Sequence, residues 1–72
     1  MKKTAYKEEI QLKTFTVATN LNVRQLPTTE SEIVEILSEG TQISCPGETV
    51  AGEDGFEYLK VENGYCQTRF LI

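Results

Sequence analysis

Apolar and polar residues alternate in several short runs along this chain, and the clearest is Leu21-Asn22-Val23-Arg24. On an extended backbone Leu21 and Val23 fall on one side and Asn22 and Arg24 on the other, the period of a half-buried strand. Pro27 has no N–H to offer a ladder, so the strand ends before it. Residues 10–17 alternate in the same way and are rich in β-branched side chains, which predicts an earlier strand. Thr19 and Asn20 supply a bend between the two. A polar loop at 27–32 precedes a short apolar run at 33–37, and Ser38-Glu39-Gly40 reads as a turn in which Gly40 is free to take a positive φ. Residues 41–45 alternate again, with Thr41, Ile43 and Cys45 on one face. The stretch 46–55 holds three of the five glycines and three acids, and predicts an extended loop. Residues 56–61 form a further strand, and Asn63-Gly64 predicts a two-residue hairpin turn with both residues at positive φ. Residues 65–68 return antiparallel.

Length narrows this pattern to one domain. A 72-residue chain buries only about 60% of the surface it exposes when unfolded, enough for one compact barrel or sandwich. Hydrophobic residues at 39% and charged residues at 25% mark it as globular. No apolar run is long enough to cross a bilayer. Residues 1–9 read as a polar tail, with early lysines but no apolar stretch behind them, and residues 10–72 as the folded domain. The expected location is the cytoplasm if this is the full chain, and the cell wall or extracellular space if it is cut from a secreted protein.

Charge is unevenly placed. Residues 1–13 carry four lysines against two glutamates, a net of +2, while residues 14–72 carry Arg24, Lys60 and Arg69 against nine acids, a net of −6. An acidic body repels phosphate backbones, so no nucleic-acid partner is expected; a cationic peptide or protein would be favoured.

The residues for catalysis are missing. There is no histidine, and no activating partner stands beside Cys45 or Cys66 in the sequence. The pairs Glu30/Glu32 and Glu53-Asp54 lie in loops, without an apolar pocket to raise a carboxyl pKa. Two thiols without other soft ligands make a poor zinc site, and the carboxylates are too dispersed for calcium. The sequence therefore predicts no enzyme, no metal and no cofactor. Both cysteines sit in apolar alternations and are expected as small core residues; a disulfide would need an oxidising compartment.

The order of these short motifs resembles the bacterial SH3-like domains, the SH3b family. The residues that carry the resemblance are Leu21-Asn22-Val23-Arg24 followed by Pro27, then Leu37, Gly40 and Ile43, and then Tyr58, Lys60-Val61, Gly64-Tyr65, Cys66, Phe70 and Leu71. It spans roughly residues 15–71. The chain departs from the family pattern in Tyr58, where tryptophan is usual, in Leu26, where a small residue is usual, and in the extended 46–55 stretch. The resemblance implies an all-β fold, a small SH3-like barrel of about five antiparallel strands with a short N-terminal extension. It also implies a non-catalytic binding module for a peptide or peptidoglycan-like ligand, held in an aromatic groove beside the loops. Phe56, Tyr58 and Tyr65 are the aromatic candidates, and Glu30, Glu32, Glu53 and Asp54 could meet a basic ligand from the flanking loops. Phe15 and Phe70 are assigned to the core, and Arg24 to tying a loop or pairing with an acid. The alternative is a stand-alone intracellular interaction protein, phage or mobile-element encoded, that docks on a partner protein through its acidic face and the 46–55 loop. The chain is expected to be a monomer or a weak homo-oligomer, with no membrane partner.

Overall fold

The computed structural model describes residues 11–72, so the tail at 1–9 and Ile10 lie outside the described residues. Seven short strands follow one another: β1 (Lys13–Thr16), β2 (Leu21–Arg24), β3 (Ile33–Leu37), β4 (Gln42–Cys45), β5 (Thr49–Ala51), β6 (Glu57–Val61) and β7 (Gly64–Gln67), then a 3-10 turn at Thr68–Phe70. The fold is all-β, as the alternation predicts. A five-stranded sheet has the order β3-β2-β7-β6-β5, and β1 and β4 make a second, two-stranded sheet. Every pairing is antiparallel.

The two sheets are joined at the chain's end. Thr16 and Ile72 exchange N–H···O bonds of 3.2 and 2.9 Å, and the Ala18 N–H donates to the Phe70 carbonyl at 2.8 Å. Val17 and Leu71 pair between these bonds. The core lies where the sheets face each other. Leu21 and Val23 of β2, Cys45 of β4, Leu59 of β6, Cys66 of β7 and Val17 are buried. Phe15, Leu37, Ile43, Val61, Phe70 and Leu71 pack against them. Leu59 and Cys66 stand opposite each other in the ladder, so one face of the β6-β7 hairpin points inward. Both thiols are free and buried. Burial, and then the neighbouring Cys45, pushes the Cys66 thiol up to about 11.

Three local expectations meet different outcomes. Gly40 takes φ 89°, and the Thr41 N–H closes its turn on the Ser38 carbonyl at 3.0 Å, as read from the sequence. The extended 46–55 loop is a correction. Its middle is β5, which pairs with β6 through Thr49–Leu59, Val50–Tyr58 and Ala51–Glu57. Thr49 and Val50 are β-branched, and three residues of alternation were enough to complete a sheet edge. The β6-β7 turn is the second correction. Val61 pairs with Gly64, so the turn residues are Glu62 and Asn63, and Gly64 belongs to the strand. Its lack of a side chain serves packing instead: a Cβ there would stand 2.2 Å from the Arg24 carbonyl oxygen.

Candidate functional site

One carboxylate fastens the two longest connections to each other. Between β5 and β6 the chain turns tightly: the Gly52 N–H donates to the Phe56 carbonyl at 2.7 Å and the Gly55 N–H to the Gly52 carbonyl at 3.1 Å. Asp54 sits inside this turn. Its Oδ1 accepts the Phe56 N–H at 3.0 Å, and its Oδ2 accepts both the Thr29 N–H at 2.9 Å and the Tyr58 hydroxyl at 2.6 Å. Thr29 belongs to the 25–32 loop, which is closed on its own account. The Gln25 N–H donates to the Glu32 carbonyl at 2.9 Å, and the Arg24 Nη1 to the Ser31 carbonyl at 2.9 Å. The expected role of Arg24 in tying a loop is thus met.

The fit at this junction is close. A Cβ on Gly52 would stand 2.6 Å from both the Pro27 carbonyl oxygen and the Tyr58 ring. Partial desolvation works against the charge on Asp54, but the Tyr58 hydroxyl and the Phe56 and Thr29 N–H groups outweigh it and bring the carboxyl down to about 2. The Tyr58 hydroxyl is pushed up, by burial first and then by the carboxylate that accepts its proton.

Beside this latch lies a cleft of about 170 Å³, bordered by Asn22, Arg24, Tyr58, Gln67 and Phe70 among others. The ladder creates it. Tyr58 and Gln67 are cross-strand partners on the outward face of the five-stranded sheet, opposite to the face that buries Leu59 and Cys66. The Gln67 Nε2 reaches the Tyr58 hydroxyl at 3.4 Å, a long contact. The Gln67 Oε1 is buried and has no hydrogen-bond partner among the described residues. Such an acceptor costs about 1–3 kcal/mol relative to a satisfied one. The Arg69 guanidinium lies over two rings, 4.9 Å from the Phe56 centroid and 4.8 Å from that of Phe70, which borders the cleft.

The residues singled out from the sequence separate into three groups. Phe56 is partly exposed just before β6, with the Arg69 guanidinium over its ring, and it does not border the cleft. Glu30, Glu32 and Glu53 are exposed on the two connections that Asp54 joins. Tyr58 and Asp54 are engaged within the molecule: Tyr58 is 1% exposed, and the carboxylate of Asp54, nearer the surface, accepts from three donors. Tyr65 is half-buried across the sheet, opposite Lys60 on one side and Arg24 on the other. Gln67, Asn22 and Arg69 were missed. Gln67 shares the two-residue period of Tyr65, which alone would have placed it on the outward face. Arg69 directly precedes Phe70, but its reach to Phe56 depends on the fold.

Among the described residues there is no group of three or more His, Cys, Asp or Glu placed to hold a metal ion. No helix among them is long and apolar enough to cross a membrane. No known protein family matches this chain, and it has no significant similarity to a curated protein or to a solved structure.

Proposed function

We propose that this protein is a non-catalytic binding module of the bacterial SH3 type, taking a peptide or peptidoglycan-like ligand in the cleft between β2, β7 and the 3-10 turn. The observation that carries this reading is the buried, unpartnered Gln67 Oε1 at a cleft walled by the Phe70 ring. A ligand amide N–H would satisfy that oxygen, while its apolar part lies against Phe70 and the Phe56–Arg69 stack. The latch through Asp54 supports it, because preset walls leave little to be ordered on binding. The test is co-sedimentation with purified peptidoglycan, followed by titration with soluble fragments prepared from it. Retention above a control protein is expected, with amide shifts centred on Gln67, Phe70 and Phe56, and loss of both in Gln67→Leu. No retention above the control removes this reading.

A second reading has its own support. Residues 11–72 carry nine carboxylates against Lys13, Arg24, Lys60 and Arg69, which suits a basic protein partner met by Glu30, Glu32 and Glu53. Affinity purification from the native host separates the two: a stoichiometric partner protein supports it, and recovery of wall material alone ends it.

A further inference from the structure

The strand at one end of the five-stranded sheet is built unlike a protected edge. β3 pairs with β2 on one side and has no strand on the other among the described residues. Natural edges are usually shortened, charged or interrupted by proline, because a row of open N–H and C=O groups recruits other chains. The opposite edge, β5, has only three residues. β3 has five and contains neither lysine nor proline. Ile33, Val34 and Ile36 are 47, 46 and 64% exposed. Its one charge, Glu35, accepts a hydrogen bond from the Asn63 Nδ2 at 3.1 Å.

We propose that the free edge of β3 takes an added strand from another protein, an extended segment with apolar residues at alternate positions and basic residues at both ends. Backbone bonds to β3 would supply the docking, and alternate side chains the selection. One set would meet a cleft of about 230 Å³ that Glu35 and Leu37 border on the inner side of β3, with Val23, Ile43 and Val61 beneath. The other set would lie on the outer side, where Ile36 stands opposite Asn22. The basic ends follow from charge. Glu30 and Glu32 precede the strand, Glu39 follows it, and Glu62 borders the cleft. The nearby cation, Arg24, is engaged by the Ser31 carbonyl.

The same charges argue against a second copy of this chain. A two-fold antiparallel pairing centred on Glu35 would set that residue against its own copy and bring Glu32 beside Glu39, and like charges facing across a ladder are destabilising. This edge is separated from β7 by β2, so the proposal stands or falls independently of the Gln67 cleft.

Two nine-residue peptides test it, each alternating threonine and valine, one with paired lysines at both ends and one with paired glutamates. The expected result at low salt is that the lysine-ended peptide binds at least tenfold more tightly and slows amide exchange in β3. In the double variant Glu32→Lys/Glu39→Lys the preference should reverse. Ile36→Lys should weaken binding at least tenfold while leaving the thermal midpoint within a few degrees, because that side chain is largely in solvent. Equal affinity for the two peptides, binding that leaves β3 exchange unchanged, or a dimer of the protein alone with β3 protected would each overturn the proposal.

Discussion

Gly64→Ala should be among the most damaging single-methyl additions in this protein, for a reason the sequence conceals. The new Cβ would lie 2.2 Å from the Arg24 carbonyl oxygen, whereas real Cβ atoms almost never approach closer than 3.0 Å. Backbone must therefore move by about 0.8 Å, and the Val23 Cγ1 at 3.2 Å blocks part of the retreat. The displaced element is the seam where β7 meets β2, which joins the β2-β3 pair to the β5-β6-β7 unit. Overpacking into fixed surroundings costs about 1–3 kcal/mol, and here the collision is with main chain, so a loss of about 3 kcal/mol is expected. A chain of this size has about 4–11 kcal/mol in all. Urea denaturation would show the loss as a midpoint lower by about 2–3 M, at a slope of about 1 kcal/mol/M. Gly64→Asn separates this account from its rival. If Asn63-Gly64 were the turn, asparagine would tolerate the positive φ there and the protein would lose little. A loss below about 1 kcal/mol for Gly64→Ala, or a neutral Gly64→Asn, would refute the register and with it the inward face of β7.

Leu59 is fully buried at the centre of β6, so Leu59→Ala should cost about 3 kcal/mol by the same denaturation assay, the cavity left behind adding to the lost transfer free energy. Asp54 has a folded pKa of about 2 against an ordinary 3.8, so its contribution to stability is present above about pH 4 and lost as pH falls towards 2. The urea midpoint of the parent protein should drop through that window, and Asp54→Asn should flatten the drop. The same variant should speed amide exchange at Thr29 and Phe56 in the free protein, whereas a residue that only touched ligand would leave it unchanged. Cys66 is buried and its thiol is pushed up to about 11, so it should not react with an alkylating reagent at pH 8 until the chain is unfolded. Between about pH 9 and 11 the unfolded chain ionises this thiol and the folded chain does not, so stability should decline over that interval.

The elements that could be read from the sequence are those in which side-chain period and burial agree. Leu21 and Val23 are both apolar and both inward, and Ile43 and Cys45 likewise, so alternation alone located β2 and β4. Gly40 was legible because a turn and a positive φ coincide there. β5 was not, since Thr49-Val50-Ala51 is bracketed by glycines and acids, and its exposed residues are held by pairing with β6 rather than by burial. Gly64 misled because Asn-Gly favours one turn locally, while the approach of Arg24 from forty residues away requires a strand glycine. The same division runs through the candidate site. Phe56 and the loop glutamates were picked out by residue type, and they are exposed. The engagement of Tyr58 and Asp54 with each other, and the position of Gln67 beside Tyr58, depend on which face of β6 carries Tyr58, and composition does not encode that.

That Asp54 and Tyr58 hydrogen-bond to each other and to backbone follows from the size of the chain. Among the described residues seven are buried, and all seven lie in or beside the strands. The large apolar side chains of the 25–32 loop and the 52–56 turn, Leu26 and Phe56, both remain exposed and anchor neither connection. Without burial, a connection this small can be fixed only by polar bonds that survive contact with water, and neutral ones contribute about 1 kcal/mol each. A carboxylate accepting several donors at once is the stronger option, because charge-assisted bonds are roughly twice as strong and one side chain serves two backbone segments. Asp54 has the required reach: short enough to bond within its own turn at Phe56, and placed to take Thr29 and Tyr58 on its far oxygen. Tyr58 matters for the same reason, as its hydroxyl supplies one of those donors at a point that a phenylalanine ring would leave empty. One phenol on β6 and one carboxylate in the adjoining turn thus tie both connections to the sheet.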